Sequence, residues 1–247
     1  MFRAEGVDLK WHEIGYACKA YGFAYGAGFL VLAILNSRPE FKQVAQVSPW
    51  ISRYVGDALA FAVTMLLIWR ESQGNLRRFG FTLGPVRLQL RQSALVATAL
   101  GLLWILLERA LPTLAGAYEP QAAYPRTVAN LVGMMSFQWV FVGVFEEPLA
   151  RGLVQTHLME RLSGVVHVLR WDLHVGTVLA GVIFGIGHAV PHLFFGGSWT
   201  SMGSHLAFAT LFGLLAGYVY QETRSLAGPV LMHNIVDGLL ATAALMH

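Results

Sequence analysis

Leu131-Val132-Gly133-Met134-Met135-Ser136-Phe137-Gln138-Trp139-Val140-Phe141-Val142-Gly143-Val144-Phe145 runs directly into Glu146-Glu147-Pro148-Leu149-Ala150-Arg151-Gly152. The first part carries no charge and has the apolar density of a membrane-spanning helix. The second part brings two adjacent carboxylates and an arginine to its end. Charges so placed are costly in a bilayer unless they are paired or functional. What these residues face decides both the fold and its use.

Outward from this stretch the composition is uniform. Of 247 residues, 55% are hydrophobic and 13% charged, with a mean hydropathy of +0.54. Soluble domains carry about a quarter charged residues, and here the apolar residues come in blocks of membrane length rather than in alternation. The chain therefore reads as all-α, a polytopic bundle with spans near 16–36, 50–69, 92–111, 127–147, 175–195, 203–220 and 226–246. A short amphipathic interfacial helix is expected over 149–163, with Leu149, Leu153, Leu158 and Leu162 on its apolar face. Pro112, Pro120 and Pro125 mark one connecting loop and Gly196-Gly197-Ser198 another. With no soluble domain, long linker or internal repeat, residues 1–247 read as one integral membrane domain. The net charge of +3 reflects basic loops, so no nucleic-acid partner is expected. Cys18 is the only cysteine, which excludes an intrachain disulfide. The mixed charges of the first twenty residues, with no small-residue cleavage site after the first apolar run, argue against a cleaved signal peptide.

Basic residues orient the bundle. One set of connections holds twelve: Arg3, Lys10, Lys19, Arg70, Arg77, Arg78, Arg87, Arg91, Arg151, Arg161, Arg170 and Arg224. The other holds five: Arg38, Lys42, Arg53, Arg109 and Arg126. The positive-inside rule then expects a cytoplasmic N-terminus and an external C-terminus. Glu146 and Glu147, at the inner end of span four, put the active site towards the cytoplasm. Glycines at four-residue spacing (Gly22/Gly26, Gly181/Gly185, Gly213/Gly217) expect close helix packing.

Three spans carry residues that a lipid-facing helix would not choose. Span four ends in Glu146 and Glu147, span five holds His188 and His192, and span seven holds His233 and Asp237. Intramembrane ionisable groups face the bundle interior and mark functional pathways. An acid, imidazoles and a second acid are the inventory of a hydrolytic site, with a base for water and donors for an oxyanion. Glu147 and Arg151 are at i,i+4, the spacing of an ion pair, which leaves Glu146 as the free general base. Pro148 has no N–H and disfavours helix at Glu147, so a break or kink is expected there. His188 could position the water. His233 could face the oxyanion, with Asp237 fixing its tautomer. Zinc is the competing reading, with Glu146, His188, His192 and His233 as candidate ligands; no HExxH is present, and a metal-free site is favoured. On these boundaries His188 lies about 20 Å from the inner end of its helix, so a site shared with Glu146 requires a kinked span four or a later start to span five. Asp57, Glu108 and His205 rank lower, as interhelical or interfacial groups.

Glu146-Glu147-x-x-x-Arg151, Phe184-x-x-x-His188 and His233-x-x-x-Asp237 resemble, in order and in placement, the three motifs of the CAAX protease and bacteriocin-processing (CPBP or ABI) intramembrane proteases. The resemblance covers roughly 127–246. It implies an all-helical membrane bundle with a cytosol-facing cavity, Glu146 as water-activating base, His188 as its helper, and His233 and Asp237 on the oxyanion side. Glu147, Arg151 and Phe184 would support the site. The implied activity is an endopeptidase cutting a peptide or protein substrate at the membrane, lipidated or not. The family includes members classed as glutamate-dependent and members classed as metalloproteases; the glutamate type is favoured here, with zinc the alternative. Two positions depart from the family pattern: Pro148 follows the acids, and Asp237 stands where the prenyl-protein proteases carry asparagine. From other classes, a catalytically silent immunity or scaffold protein and a proton-coupled transporter compete. The intact acid and histidines disfavour the first, and the lack of internal repeats the second.

Overall fold

The apolar blocks become helices whose lengths the bilayer sets. The computed structural model describes residues 2–83, 86–111, 125–195 and 198–246. Among them run α1 (Trp11–Asn36), α2 (Pro39–Val47), α3 (Pro49–Ser72) and α4 (Val86–Ala110). Then come α5 (Val128–Arg161), α6 (Val175–Phe195), α7 (Trp199–Thr223) and α8 (Ala227–Leu245). All but the nine-residue α2 contain a segment long and apolar enough to cross a membrane, seven candidate spans in all. Of the expected loop markers, Pro112, Pro120, Gly196 and Gly197 lie outside the described residues.

The decisive helix is α5. At 34 residues it is one continuous element, not a span ending at Glu147 followed by an interfacial helix over 149–163. Its residues Pro148–Gln155 are all buried, so the leucines expected at an interface are core instead. Nor does Pro148 break the chain: Glu147 (φ −66°, ψ −31°) and Pro148 (φ −57°, ψ −36°) both stay helical. The chain absorbs the missing N–H by widening to π-helical turns over Pro148–Gln155. A first π segment covers Phe137–Phe141. Here the Gly143 N–H donates to Asn234 Oδ1 (2.8 Å), and Asn234 Nδ2 donates to the Val140 carbonyl (2.9 Å). A side chain from α8 thus bonds backbone groups beside the widened turn, as a membrane interior requires.

The ends of α5 are tied down. Thr127 caps its start by accepting the Asn130 N–H (3.2 Å). Asn130 donates to the Val47 carbonyl (2.7 Å) and accepts from Trp50 Nε1 (3.1 Å), joining that end to the α2–α3 junction. At the far end Glu160 accepts from Arg78 Nε (2.9 Å).

A three-stranded antiparallel sheet, invisible in the hydropathy pattern, sits at the end of the bundle that holds the N-terminus. β1 (Phe2–Asp8) pairs with β2 (Ser163–Val168), and β2 with β3 (Trp171–His174). Its register sets Arg3 opposite His167 and Val168 opposite Trp171. After β3 the His174 ring, held below the ordinary imidazole range by burial and by Arg224, accepts the Gly176 N–H (3.0 Å) at the start of α6.

Of the small-residue pairs, Gly181 and Gly213 do face each other. A Cβ at Gly213 would lie 2.9 Å from the Gly181 carbonyl oxygen, so α6 and α7 touch backbone to backbone. Gly22 and Gly26 have open space where a Cβ would be.

Candidate active site

Three helices converge midway through the bundle, and α5 supplies the centre. Glu146 is about 22 Å from the Arg161 end of α5 at 1.5 Å per residue, and His188 about 20 Å from the Val175 start of α6. The two side chains therefore lie at the same depth: His188 Nε2 is 3.5 Å from Glu146 Oε2. The separation anticipated from the sequence arose from ending span four at Glu147. Neither a kink nor a shifted span five is needed.

Adjacent carboxylates point to different places, as a turn of about 100° per residue dictates. Glu147 is 0% exposed and carries two partners. Its Oε2 accepts from Arg151 Nε at 3.0 Å, the expected i,i+4 pair, and its Oε1 lies 2.8 Å from His233 Nδ1 on α8. Arg151, also 0% exposed, lays its guanidinium over the Phe184 ring at 5.0 Å. Phe184 in turn stacks against His188 at 4.2 Å and meets the His233 ring edge-on at 5.9 Å. Glu147, Arg151 and Phe184 thus form a buried, cross-braced cluster.

Glu146 is the carboxylate that lines a cavity. Its Oε2 has no hydrogen-bond partner among the described residues, and the Tyr25 side chain of α1 lies beside it. It lines a cavity of about 320 Å³ together with His188, His233 and Asp237. His188 Nδ1 is 3.0 Å from the Phe184 carbonyl, so Nε2 is the nitrogen presented to Glu146. His233 presents Nε2 to Asp237 at 3.7 Å. The tautomer-fixing contact expected of Asp237 is thus made by Glu147, at the shorter distance and on the other nitrogen.

His192 and His205 also line the cavity, their rings 4.4 Å apart, with Ser201 Oγ 3.4 Å from His192 Nδ1. They sit near the ends of α6 and α7 that lie away from the sheet. Arg53 and Asp57, near the start of α3, complete that wall. The cavity therefore occupies the half of the bundle opposite the N-terminus.

Catalytic zinc needs three protein ligands and an open position. Among the described residues no group of three or more His, Cys, Asp or Glu is placed to hold a metal ion. His233 Nδ1 is engaged by Glu147 at 2.8 Å, and its Nε2 lies 3.7 Å from Asp237.

Sequence reasoning missed three residues, Arg53, Tyr25 and Asn234, and the depth of His205 and Asp57 within the cavity wall. Asp57 and His205 had a signal, an ionisable group inside an apolar span. Tyr25 and Asn234 had none that periodicity could distinguish from packing.

Close contact between α5 and α8 holds His233 in place. A Cβ at Gly143 would lie 2.7 Å from the Val230 carbonyl oxygen and 3.0 Å from His233 Cβ. Gly143→Ala should therefore push α8 outward, costing about 1–3 kcal/mol. Thermal unfolding in detergent measures the loss, and an unchanged midpoint would refute the tight seat.

Residues 128–239, which contain all three motifs, match the family model described as Rce1-like, type II CAAX prenyl endopeptidase Rce1-like. No curated protein and no solved structure matches the chain.

Proposed function

We propose that this chain, whose residues 128–239 belong to the Rce1-like CAAX endopeptidase family, hydrolyses a peptide bond of a membrane-associated protein or peptide with a Glu146-activated water. The observation that carries the reading is the division of labour between adjacent acids. Glu147 is buried and doubly bonded. Glu146 faces the cavity with His188 Nε2 at 3.5 Å. A water between those two atoms gives up a proton to Glu146, and its oxygen attacks the scissile carbonyl carbon. The developing oxyanion is met from the α8 side, where His233 in its imidazolium form donates through Nε2 while Glu147 holds Nδ1. Glu146 then passes its proton to the leaving nitrogen as the C–N bond breaks, releasing a carboxylate and an amine. In its ionised form Asp237 would accept hydrogen bonds and not donate to an oxyanion, and its part would then be to steady Nε2 between turnovers.

Purified protein incubated with a panel of peptides, prenylated and not, tests the reading by mass spectrometry. Cleavage by wild type that disappears in Glu146→Gln and His233→Ala is the expected result. A panel left intact by active-site-competent, folded protein would favour the scaffold reading.

The proposed chemistry is metal-free, since Glu146 and His188 supply base and water contact between them. Dialysis against 1,10-phenanthroline should leave the rate within a factor of about two, well short of the change that removal of a catalytic ion causes. Stoichiometric zinc by elemental analysis, lost in His188→Ala, would overturn this.

The basic-residue count supports a cytoplasmic N-terminus, and the cavity mouth then faces the opposite compartment. In a Cys18→Ala background, Ser198→Cys should react with a membrane-impermeant maleimide added to intact cells, while Ser163→Cys should not. The reverse pattern would turn the molecule over and restore a cytoplasmic mouth.

A further inference from the structure

The first widened turn of α5 lies just ahead of the two acids, and one side chain serves the groups that it leaves over. Across this turn the Val142 N–H donates to the Phe137 carbonyl, an i→i+5 bond in place of the i→i+4 of an α-helix. In a regular helix the Gly143 N–H would reach the Trp139 carbonyl; here it donates to Asn234 Oδ1 at 2.8 Å. The Val140 carbonyl, which a regular helix would give to the Val144 N–H, accepts from Asn234 Nδ2 at 2.9 Å. Asn234 is buried and bonds on both sides at once. A Cβ at Gly143 would lie 2.9 Å from its Oδ1, so glycine lets the amide come this close.

A turn that takes up one extra residue displaces every later side chain by one residue's rotation, about 100°. The first part of α5 is not free to turn and absorb this. Asn130 is bonded to the Val47 carbonyl (2.7 Å) and to Trp50 Nε1 (3.1 Å), and Ser136 Oγ is 3.0 Å from the Tyr54 hydroxyl. The displacement therefore falls on the acids. With a regular turn, Phe145 would stand where Glu146 now does, and Glu146 where Glu147 does. Phe145 instead faces α3, its ring 5.7 Å from that of Phe61.

Resting on the proposed endopeptidase function, we infer that Asn234 is a positioning residue: it holds the widened turn and so selects Glu146 as the acid presented to His188 and the cavity. Asn234 adjoins His233, so α8 both carries the imidazole and sets the direction of the acid on α5.

The test uses the full-length chain in detergent, in a Cys18→Ala background, with Phe145→Cys or Glu146→Cys as the single thiol. A small cationic methanethiosulfonate reports which position meets the cavity, whether or not the chain is a peptidase. With Asn234 present, position 146 should react about tenfold or more faster than position 145, since thiol reactivity follows access. Asn234→Leu keeps the volume and loses both bonds, and it should reverse this order. Partial unfolding cannot do so, because it exposes both positions. Deleting Val140, which is 51% exposed, from the Asn234→Leu chain removes the extra residue and should restore the original order. A side chain that merely stabilises α8 could not be replaced by a deletion in α5.

With Glu146 intact, Asn234→Leu should lower kcat about 10²-fold, the scale of a misplaced catalytic group, with KM little changed. The deletion should recover most of that loss. An unchanged labelling order in Asn234→Leu overturns the inference, as does exposure of both positions that the deletion fails to correct. A reversed and then restored order in a chain that cuts no peptide keeps the positioning role and loses the peptidase.

Discussion

Glu146→Gln keeps the fold and loses hydrolysis by about 10³-fold, within the range for a removed general base. The glutamine preserves shape and one oxygen, and Glu146 has no ion-pair partner closer than His188 at 3.5 Å. Stability should therefore be almost unchanged, and the loss should fall on kcat rather than KM. Unfolding midpoint and kinetics measured on one preparation separate the two effects. A variant that retains a tenth of wild-type kcat would remove Glu146 from the base role. Glu147 could not replace it, since it is sealed from the cavity by Arg151 and His233.

Glu147→Ala has the opposite profile. Deleting this carboxylate strands a guanidinium that is 0% exposed and takes the Nδ1 partner from His233. Breaking a buried ion pair from one side costs about 3–5 kcal/mol, because the orphaned charge has no route to water. Interhelical hydrogen bonds in membranes average much less, about 0.6 kcal/mol, but there the unpaired group finds other partners. Arg151 lies buried against Phe184, and its two terminal nitrogens have no hydrogen-bond partner among the described residues. The charge effect should win, with a midpoint far below that of Glu146→Gln. Glu147→Gln, which retains an acceptor for His233, should fall between them. Removing both charges with Glu147→Leu and Arg151→Leu should destabilise less than the two single losses added together. A cost for Glu147→Ala of about 1 kcal/mol or less, as for an exposed pair, would mean that Arg151 reaches solvent after all.

These contrasting outcomes follow from neighbours only one residue apart, and they show where local pattern suffices. The Glu147–Arg151 pair was legible because i,i+4 geometry is a property of any helix. His233 as the second partner of Glu147 was not, since the contact crosses 86 positions and no periodicity encodes it. Asp237, at i,i+4 from His233, was the partner local reasoning could see, and it proved the more distant one at 3.7 Å. Likewise a hydropathy window ends a span at charged residues, which it scores as exposed. It cannot register that Glu147 and Arg151 neutralise each other, so α5 was shortened and the site was put at a membrane edge.

By itself the sequence determined the all-helical membrane architecture, the seven apolar spans, the three ordered motifs, and the pairing of residues one turn apart. Those are consequences of composition and of spacing along one chain. Tertiary structure alone decided the continuity of α5 through Pro148, the depth of Glu146 beside His188, the transfer of His233 to Glu147, and the half of the bundle whose residues line the cavity. Each of these depends on how separate helices are set against one another. Interhelical packing sums many weak contacts over surfaces distant in sequence, and only the folded molecule carries out that sum.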